Sequence, residues 1–366
     1  MVSFTPTEEQ QQLIDTVRRY ASSDVRPVAH ESDEHGAFPQ RVIETGWQIG
    51  LVPSAIPEEL GGLGELSALT GALAAEELAY GDLSAALHVM APALFAYPVT
   101  LFGTAEQREH WLPPFLEDSL FPASAALLEP EVFFDPFDLK TTARRSGDQV
   151  TLNGTKAYVP LAADAPILLV YAKDSETGAI DAYLVQRGTP GLTVTAPEKL
   201  MGLRALPTYR VQLSDVSVEM SCRLGGPVGM EYETLLTRSR TALAALAVGV
   251  ARAAFEYARD YAKQRVAFGT PIAQKQSIAF MLAEMAIEVD AARLMTWEAA
   301  WKIDQADDDA ARAAYLAKEY ASKAALQVTD AAVQILGGYG FIREYPAERW
   351  LRNARGFTTF DGLAII

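Results

Sequence analysis

Cysteine is nearly absent. Cys222 stands alone among 366 residues, which excludes an intrachain disulfide. The four histidines, His30, His35, His88 and His110, show no metal-ligand spacing. Positive charge is in short supply, with 31 Lys and Arg against 47 Asp and Glu. The resulting net charge of -16 argues against nucleic acid as a bulk partner, but leaves room for an anionic ligand held by locally placed arginines. No apolar run approaches eighteen residues free of charges or helix breakers, so no membrane span is expected. The opening MVSFTPTEEQ lacks the basic and apolar regions of a secretory signal, and the expected compartment is the cytoplasm. No Gly-x-Gly-x-x-Gly joins a strand to a helix, so a Rossmann domain is not expected. Internal repeats, charged tails and low-complexity linkers are missing too.

Against these absences stands a hydrophobic content of 49%, enough for a sizeable core and two or three packed units. Residues 7–121 read as helices. Thr7 caps a run with Leu13, Ile14 and Val17 at helical spacing, and Thr104 with Gln107 three later is a capping-box pattern. Near residue 123 the pattern changes to short strands and turns. Gln149-Val-Thr-Leu-Asn-Gly predicts a strand ending in an Asn-Gly turn, and Tyr209-Arg-Val-Gln-Leu alternates in and out. Residues 231–334 return to long Ala-rich helices, with Ala244, Val248, Ala251 and Phe255 on one face. The expected organisation is a helical domain over 1–122, a β domain over 123–226 and a second helical domain over 227–366.

A corner interrupts the last helical region. Arg265, Phe268, Gly269, Pro271 and Ile272 form Arg-x-x-Phe-Gly-x-Pro-Ile, in which Gly269 and Pro271 break the helix. Arg and Phe three apart at a helix end share a face, offering a donor fork for phosphate and a flat surface for a ring. An ordinary helix corner reads the same way. The corner resembles that of the flavin-dependent acyl-CoA dehydrogenases. Three further stretches resemble the same family, in its order: Ile56-Pro-Glu-Glu-Leu-Gly-Gly-Leu-Gly, Phe102-Gly-Thr-Ala-Glu-Gln-Arg-Glu-His-Trp-Leu, and Gln334-Ile-Leu-Gly-Gly-Tyr-Gly-Phe-Ile-Arg-Glu-Tyr followed by Pro346 and Arg349.

The resemblance implies an α+β fold of acyl-CoA dehydrogenase type, with an N-terminal helical domain, an antiparallel, barrel-like middle domain and a C-terminal four-helix bundle. It implies FAD as cofactor and α,β-dehydrogenation of an acyl-CoA, with an electron-transfer flavoprotein as a candidate acceptor. It also implies a flavin site shared between subunits of a homodimer, a homotetramer or a hetero-oligomer with a paralogue. Arg265, Phe268, Gln276, Gln334, Gly337 and Gly338 match the family's adenine-end residues. Arg240 matches an arginine near the substrate; an ordinary helix salt bridge is the other reading of it.

The family's catalytic carboxylate is a Glu followed by Gly-Thr. Here the acid is Asp361, one methylene shorter, followed by Gly362 and Leu363. The shorter arm retreats by roughly 1.5 Å. Asp361 reads either as the base, in an apolar setting supplied by Phe357 and Phe360, or as a turn residue. Ser239 leaves no carboxylate at the position some relatives use instead. The flavin end departs further. The family's Thr-Glu-Pro-Gly-x-Gly-Ser-Asp is Leu128-Glu-Pro-Glu-Val-Phe-Phe-Asp here, and Lys-x-Trp-Ile-Thr-Asn is Lys156-Ala-Tyr-Val-Pro-Leu. Leu128, Tyr158 and Pro160 therefore stand where the family meets the flavin, with Pro160 replacing a hydroxyl. Lys156 is expected at the surface or a sheet edge. The departures leave two alternatives: a non-catalytic partner subunit lending its adenine-end residues, and a flavin oxidase of the same fold with Asp as base.

Overall fold

The computed structural model describes residues 5–366; residues 1–4, part of the stretch read above for a secretory signal, lie outside it. Seven principal helices come first: α1 (Glu8–Tyr20), α2 (Ala29–His35), α3 (Gln40–Trp47), α4 (Ala68–Gly81), α5 (Leu83–Met90), α6 (Ala93–Phe102) and α7 (Ala105–Trp111). Thr7 and Thr104 each close a full capping box, accepting from the backbone of Gln10 and Gln107 while those side chains return to the cap. Gln107 also donates to Ser221 O and Arg223 O at 2.9 and 2.8 Å, tying this helix start to the chain beyond the strands.

Strands β1 (Ala123–Ala126), β2 (Thr142–Ser146), β3 (Gln149–Pro160), β4 (Ile167–Asp174), β5 (Ile180–Gln186), β6 (Leu192–Val194) and β7 (Thr208–Glu219) form one sheet. Its order is β1-β4-β2-β3-β7-β6, with β5 on the other edge of β4. Most pairings are antiparallel, but β4 runs parallel to both β1 and β2. The Asn-Gly expected to end a strand lies inside β3 instead. Gly154, at φ 152°, sits at a register shift where a Cβ would come within 2.5 Å of Thr141 Oγ1. The turn between β2 and β3 is made by Gly147, at φ 58°.

The chain closes with α8 (Tyr232–Gln264), a two-residue-arm hairpin of β8 (Val266–Ala267) and β9 (Thr270–Pro271), then α9 (Gln276–Asp304), α10 (Ala310–Leu336) and α11 (Ala347–Ala354). Between Leu235 and Ala254 only Arg240 and Arg252 of α8 escape full burial. Alanines on α8 and α10 let the backbones approach closely, so the small-residue faces are used up inside the chain. The stretches Leu83–Phe102 and Tyr232–Gln264 reach the length and hydropathy of a membrane span, but the first is broken by Pro92 and Pro98, and 78% of each apolar window is buried inside the fold.

Two ion networks fix the frame around the site. Glu76 and Glu77 of α4 hold Arg252 of α8 at 2.8 and 2.6 Å, with Arg293 of α9 and Arg18 of α1 completing the set. Asp33 of α2 meets Arg352 of α11 at 2.8 Å, and Arg352 also donates to Met201 O. Asn353 accepts from Leu203 N at 2.8 Å. α11, which leads into Asp361, is thereby held against the loop before β7.

Candidate active site

Beyond α11 a 3-10 turn (Arg355–Thr358) delivers Asp361 into the interior. Phe357 and Phe360 are buried and meet edge to face at 6.0 Å. Gly356 makes this turn possible, because a Cβ there would lie 2.1 Å from the Phe360 ring. Gly362 takes φ 68° and faces Leu127, which a Cβ would approach to 2.7 Å; its N–H donates to Ser239 Oγ at 3.1 Å. The carboxylate of Asp361 is thus aimed by a turn that only glycines allow on either side.

Asp361 is 9% exposed, and its Oδ1 has no hydrogen-bond partner among the described residues. Arg240 Nε lies 3.8 Å away, beyond hydrogen-bond reach. Burial pushes the Asp361 carboxyl above the ordinary aspartate range; Lys318 and Arg240 oppose that shift without cancelling it. Arg240 does not form the ordinary helix salt bridge within α8. It faces Asp361 and is flanked by the rings of Phe137 and Tyr315, at 5.7 and 5.2 Å from its guanidinium carbon. A small apolar cavity of about 20 Å³ opens beside Ser239 and Gly362, between Leu94, Leu236 and Tyr232.

The strand side of the site depends on Lys156, and here the surface expectation fails. Lys156 is fully buried and pairs with Glu129 at 2.9 Å, while also donating to Leu127 O at 3.1 Å. Glu129 accepts the backbone N–H groups of Lys140 and Thr141 at 2.6 and 2.8 Å. Burial lowers the Lys156 ammonium to about 8, against the pull of Glu129. An alternating strand puts such a lysine inward whenever its register demands it, and a buried carboxylate then makes the position tenable. The pair pins β3 to the segment after β1, where Ala157 N donates to Leu128 O at 2.9 Å. Leu128 and Pro160 are buried. Tyr158 is half-buried at φ 55°, on a second bulge of β3, with its N–H donating to Glu198. This wall offers apolar surface without a side-chain hydroxyl at 128 or 160. Phe134 is half-buried against both large cores, whereas Phe133 is 94% exposed.

The corner residues do not lie on a helix face as expected. Arg265 is the C-cap of α8, and Phe268 sits at the hairpin tip with φ 53° and 96% exposure. Gly269 next to it takes φ 81°, so the tight turn, not helical spacing, sets their directions. Arg265 lies over the ring of Tyr339 at 5.5 Å, which brings the hairpin to the glycine loop after α10. Its guanidinium makes no ion pair among the described residues. Gln276 opens α9 and Gln334 lies in the last turn of α10, both exposed. Gly337, at φ 60° and ψ -129°, and Gly338 have nothing within 4 Å of a Cβ position. An unpaired guanidinium, an exposed ring and an open glycine pair fit the diphosphate and adenine of a dinucleotide. Among the described residues no hydrogen bond, ion pair or ring contact joins this set to Leu128, Tyr158 and Pro160 within one chain.

Three domain families cover the chain: the acyl-CoA dehydrogenase N-terminal domain over residues 7–119, the middle domain over 124–216 and the C-terminal domain over 230–364. The chain belongs to the acyl-CoA dehydrogenase family. It is 37% identical to a probable acyl-CoA dehydrogenase, YngJ, of Bacillus subtilis, over 100% of this chain and 97% of that one. Its structure resembles butyryl-CoA dehydrogenase from Megasphaera elsdenii, with a TM-score of 0.89, 33% identity and coverage of 98% and 96%. It also resembles PigA in its FAD complex, with a TM-score of 0.89, 26% identity and coverage of 98% and 95%. Within this acyl-CoA dehydrogenase fold, Asp361 and Arg240 come together, and so do Arg265 and the glycine loop. Lys318 escaped the sequence reading. It sits at a buried position of the α10 stripe Ala314, Lys318, Ala321, Ala325, Val328 and Ala332, and a lysine on an apolar stripe was the available signal.

Proposed function

We propose that this chain catalyses FAD-dependent α,β-dehydrogenation of a short acyl-CoA, with Asp361 as the base that takes the α proton. The observation that carries this reading is the Asp361 carboxylate, buried between Phe357 and Phe360, with an oxygen free of donors and a pKa raised by burial. Bound FAD would supply the acceptor for the hydride that leaves the β carbon. The protein's own groups do the rest. Asp361 receives the proton at its unpartnered oxygen, and Arg240 beside it tempers the charge that the carboxylate carries before the step. The surrounding phenylalanines exclude water. Arg265, Phe268, Gln276, Gln334, Gly337 and Gly338 hold the adenine end for a neighbouring copy. Leu128, Tyr158 and Pro160 supply the wall for the flavin ring. The two sets belong to different subunits of a homo-oligomer, and an electron-transfer flavoprotein is the proposed acceptor. The division into domains at 1–122, 123–226 and 227–366 and a cytoplasmic location belong to the same proposal. Anaerobic mixing of the purified protein with butyryl-CoA, followed by flavin absorbance, tests it. Bleaching of bound flavin is expected; a protein that stays colourless with FAD supplied, or a flavin untouched by any acyl-CoA, overturns the reading.

A further inference from the structure

Two cavities approach each other behind the base. The small one, about 20 Å³, touches Ser239 and Gly362 beside Asp361. That volume holds about one water-sized group. The large one, about 800 Å³, lies in the N-terminal helical region, with Leu13, Leu51, Met90 and Tyr97 among its apolar lining and Glu9 and Glu65 among its polar lining. Among the described residues, Ile365 is the one that lines both. It is 3% exposed and held on its following residue, where Arg238 Nη1 donates to Ile366 O at 2.8 Å. Ile366 in turn packs where Gly71 lacks a Cβ; a methyl there would come within 2.7 Å of Ile366 Cβ. The partition therefore has little freedom to swing aside.

We propose that Ile365 is a specificity-determining residue that limits acyl-chain length by separating the space beside the base from the apolar inner side of the large cavity. The proposal rests on the acyl-CoA reading above. A butyryl tail ends within reach of the small cavity, whereas an octanoyl tail must displace Ile365. A smaller side chain at 365 merges the two spaces and lets a long saturated tail run toward Met90 and Tyr97. Leu94 lines only the small cavity, so trimming it lengthens the accepted chain by a carbon or two without opening the partition.

The test compares wild type, Ile365→Val, Ile365→Ala and Leu94→Ala, each as FAD-loaded protein, with butyryl-, hexanoyl-, octanoyl- and dodecanoyl-CoA. Flavin reduction gives kcat/KM, and the rise in Tm on adding each thioester gives a second readout independent of turnover. Ile365→Ala is expected to raise the octanoyl-to-butyryl ratio of kcat/KM at least tenfold, with a larger Tm rise from octanoyl-CoA than wild type shows. Ile365→Val moves both in the same direction by less, and carries the test if the alanine variant does not fold. An unchanged ratio and unchanged Tm increments in variants that still oxidise butyryl-CoA overturn the role of Ile365 alone. A wild type that neither reduces its flavin nor gains Tm with any thioester removes the acyl-CoA reading and this inference with it.

Discussion

Burial raises the Asp361 carboxyl above its ordinary range, as the proposed role of taking a proton from carbon requires. The same burial has a stability consequence. A carboxyl whose folded pKa lies above its unfolded value stabilises the fold fully below the unfolded value, near 3.9. That contribution is lost as the pH rises through the folded value. Above the folded value, the ionised Asp361 is therefore a burden on the fold. Asp361→Asn is expected to raise Tm at pH 7 and to flatten the decline of stability above pH 4, read by thermal melts across pH. The same variant should lower the rate of flavin reduction on the order of a hundredfold to ten-thousandfold while FAD stays bound. An unchanged Tm together with an unchanged rate would leave Asp361 as an ordinary turn residue. Arg265→Ala belongs to the same scale. Losing one charge-assisted contact to a diphosphate should weaken FAD binding by roughly 1.5–3 kcal/mol. Flavin retained equally by both proteins through dialysis would make the hairpin purely structural.

Elements place these residues, and β3 is the one whose register matters most. Its buried Lys156 and Glu129 join the strand to the segment carrying Leu128. Removing one partner leaves an uncompensated buried charge, so Lys156→Met should cost about 3–5 kcal/mol, measured by denaturant unfolding. Replacing both with apolar residues should recover less than a simple ion pair would, because Glu129 also holds the N–H groups of Lys140 and Thr141. If Lys156→Met unfolds like wild type, the pair does not set the register. Capping at Thr7 and Thr104 and the breaking power of Gly269 and Pro271 were legible in the sequence, because they are local backbone chemistry. The inward turn of Lys156 and the bulge at Gly154 were not. Both follow from which neighbour each strand pairs with, and β3 meets its partners from as far away as Glu219.

At the scale of the whole molecule, the surface of α9 carries a message. Phe280, Ile287 and Leu294 recur every seven residues and are 60%, 65% and 45% exposed. Phe268 and Phe341, near the glycine loop, are 96% and 85% exposed. These large side chains, and not the alanine faces consumed inside the chain, are the surface on which copies should meet. Light scattering at micromolar concentration is expected to give a multiple of the 39.7 kDa chain mass, and Ile287→Glu to shift it toward that mass. A persistent wild-type monomer would contradict a flavin site built from two copies.

The sequence by itself determined the order of helices, strands and helices, the family, and the positions of the candidate base Asp361, the arginine corner and the glycine pair. Hydrophobic period, helix caps and glycine placement act over a few residues, so they survive in one dimension. Only the tertiary structure decided that Asp361 faces Arg240 across 121 positions, that Lys156 and Lys318 turn inward, and that Ile365 divides two cavities. A pKa depends on the solvent removed from a group and on charges brought to it through space. A cavity is bounded by side chains from several elements at once. Neither quantity exists until the chain has folded.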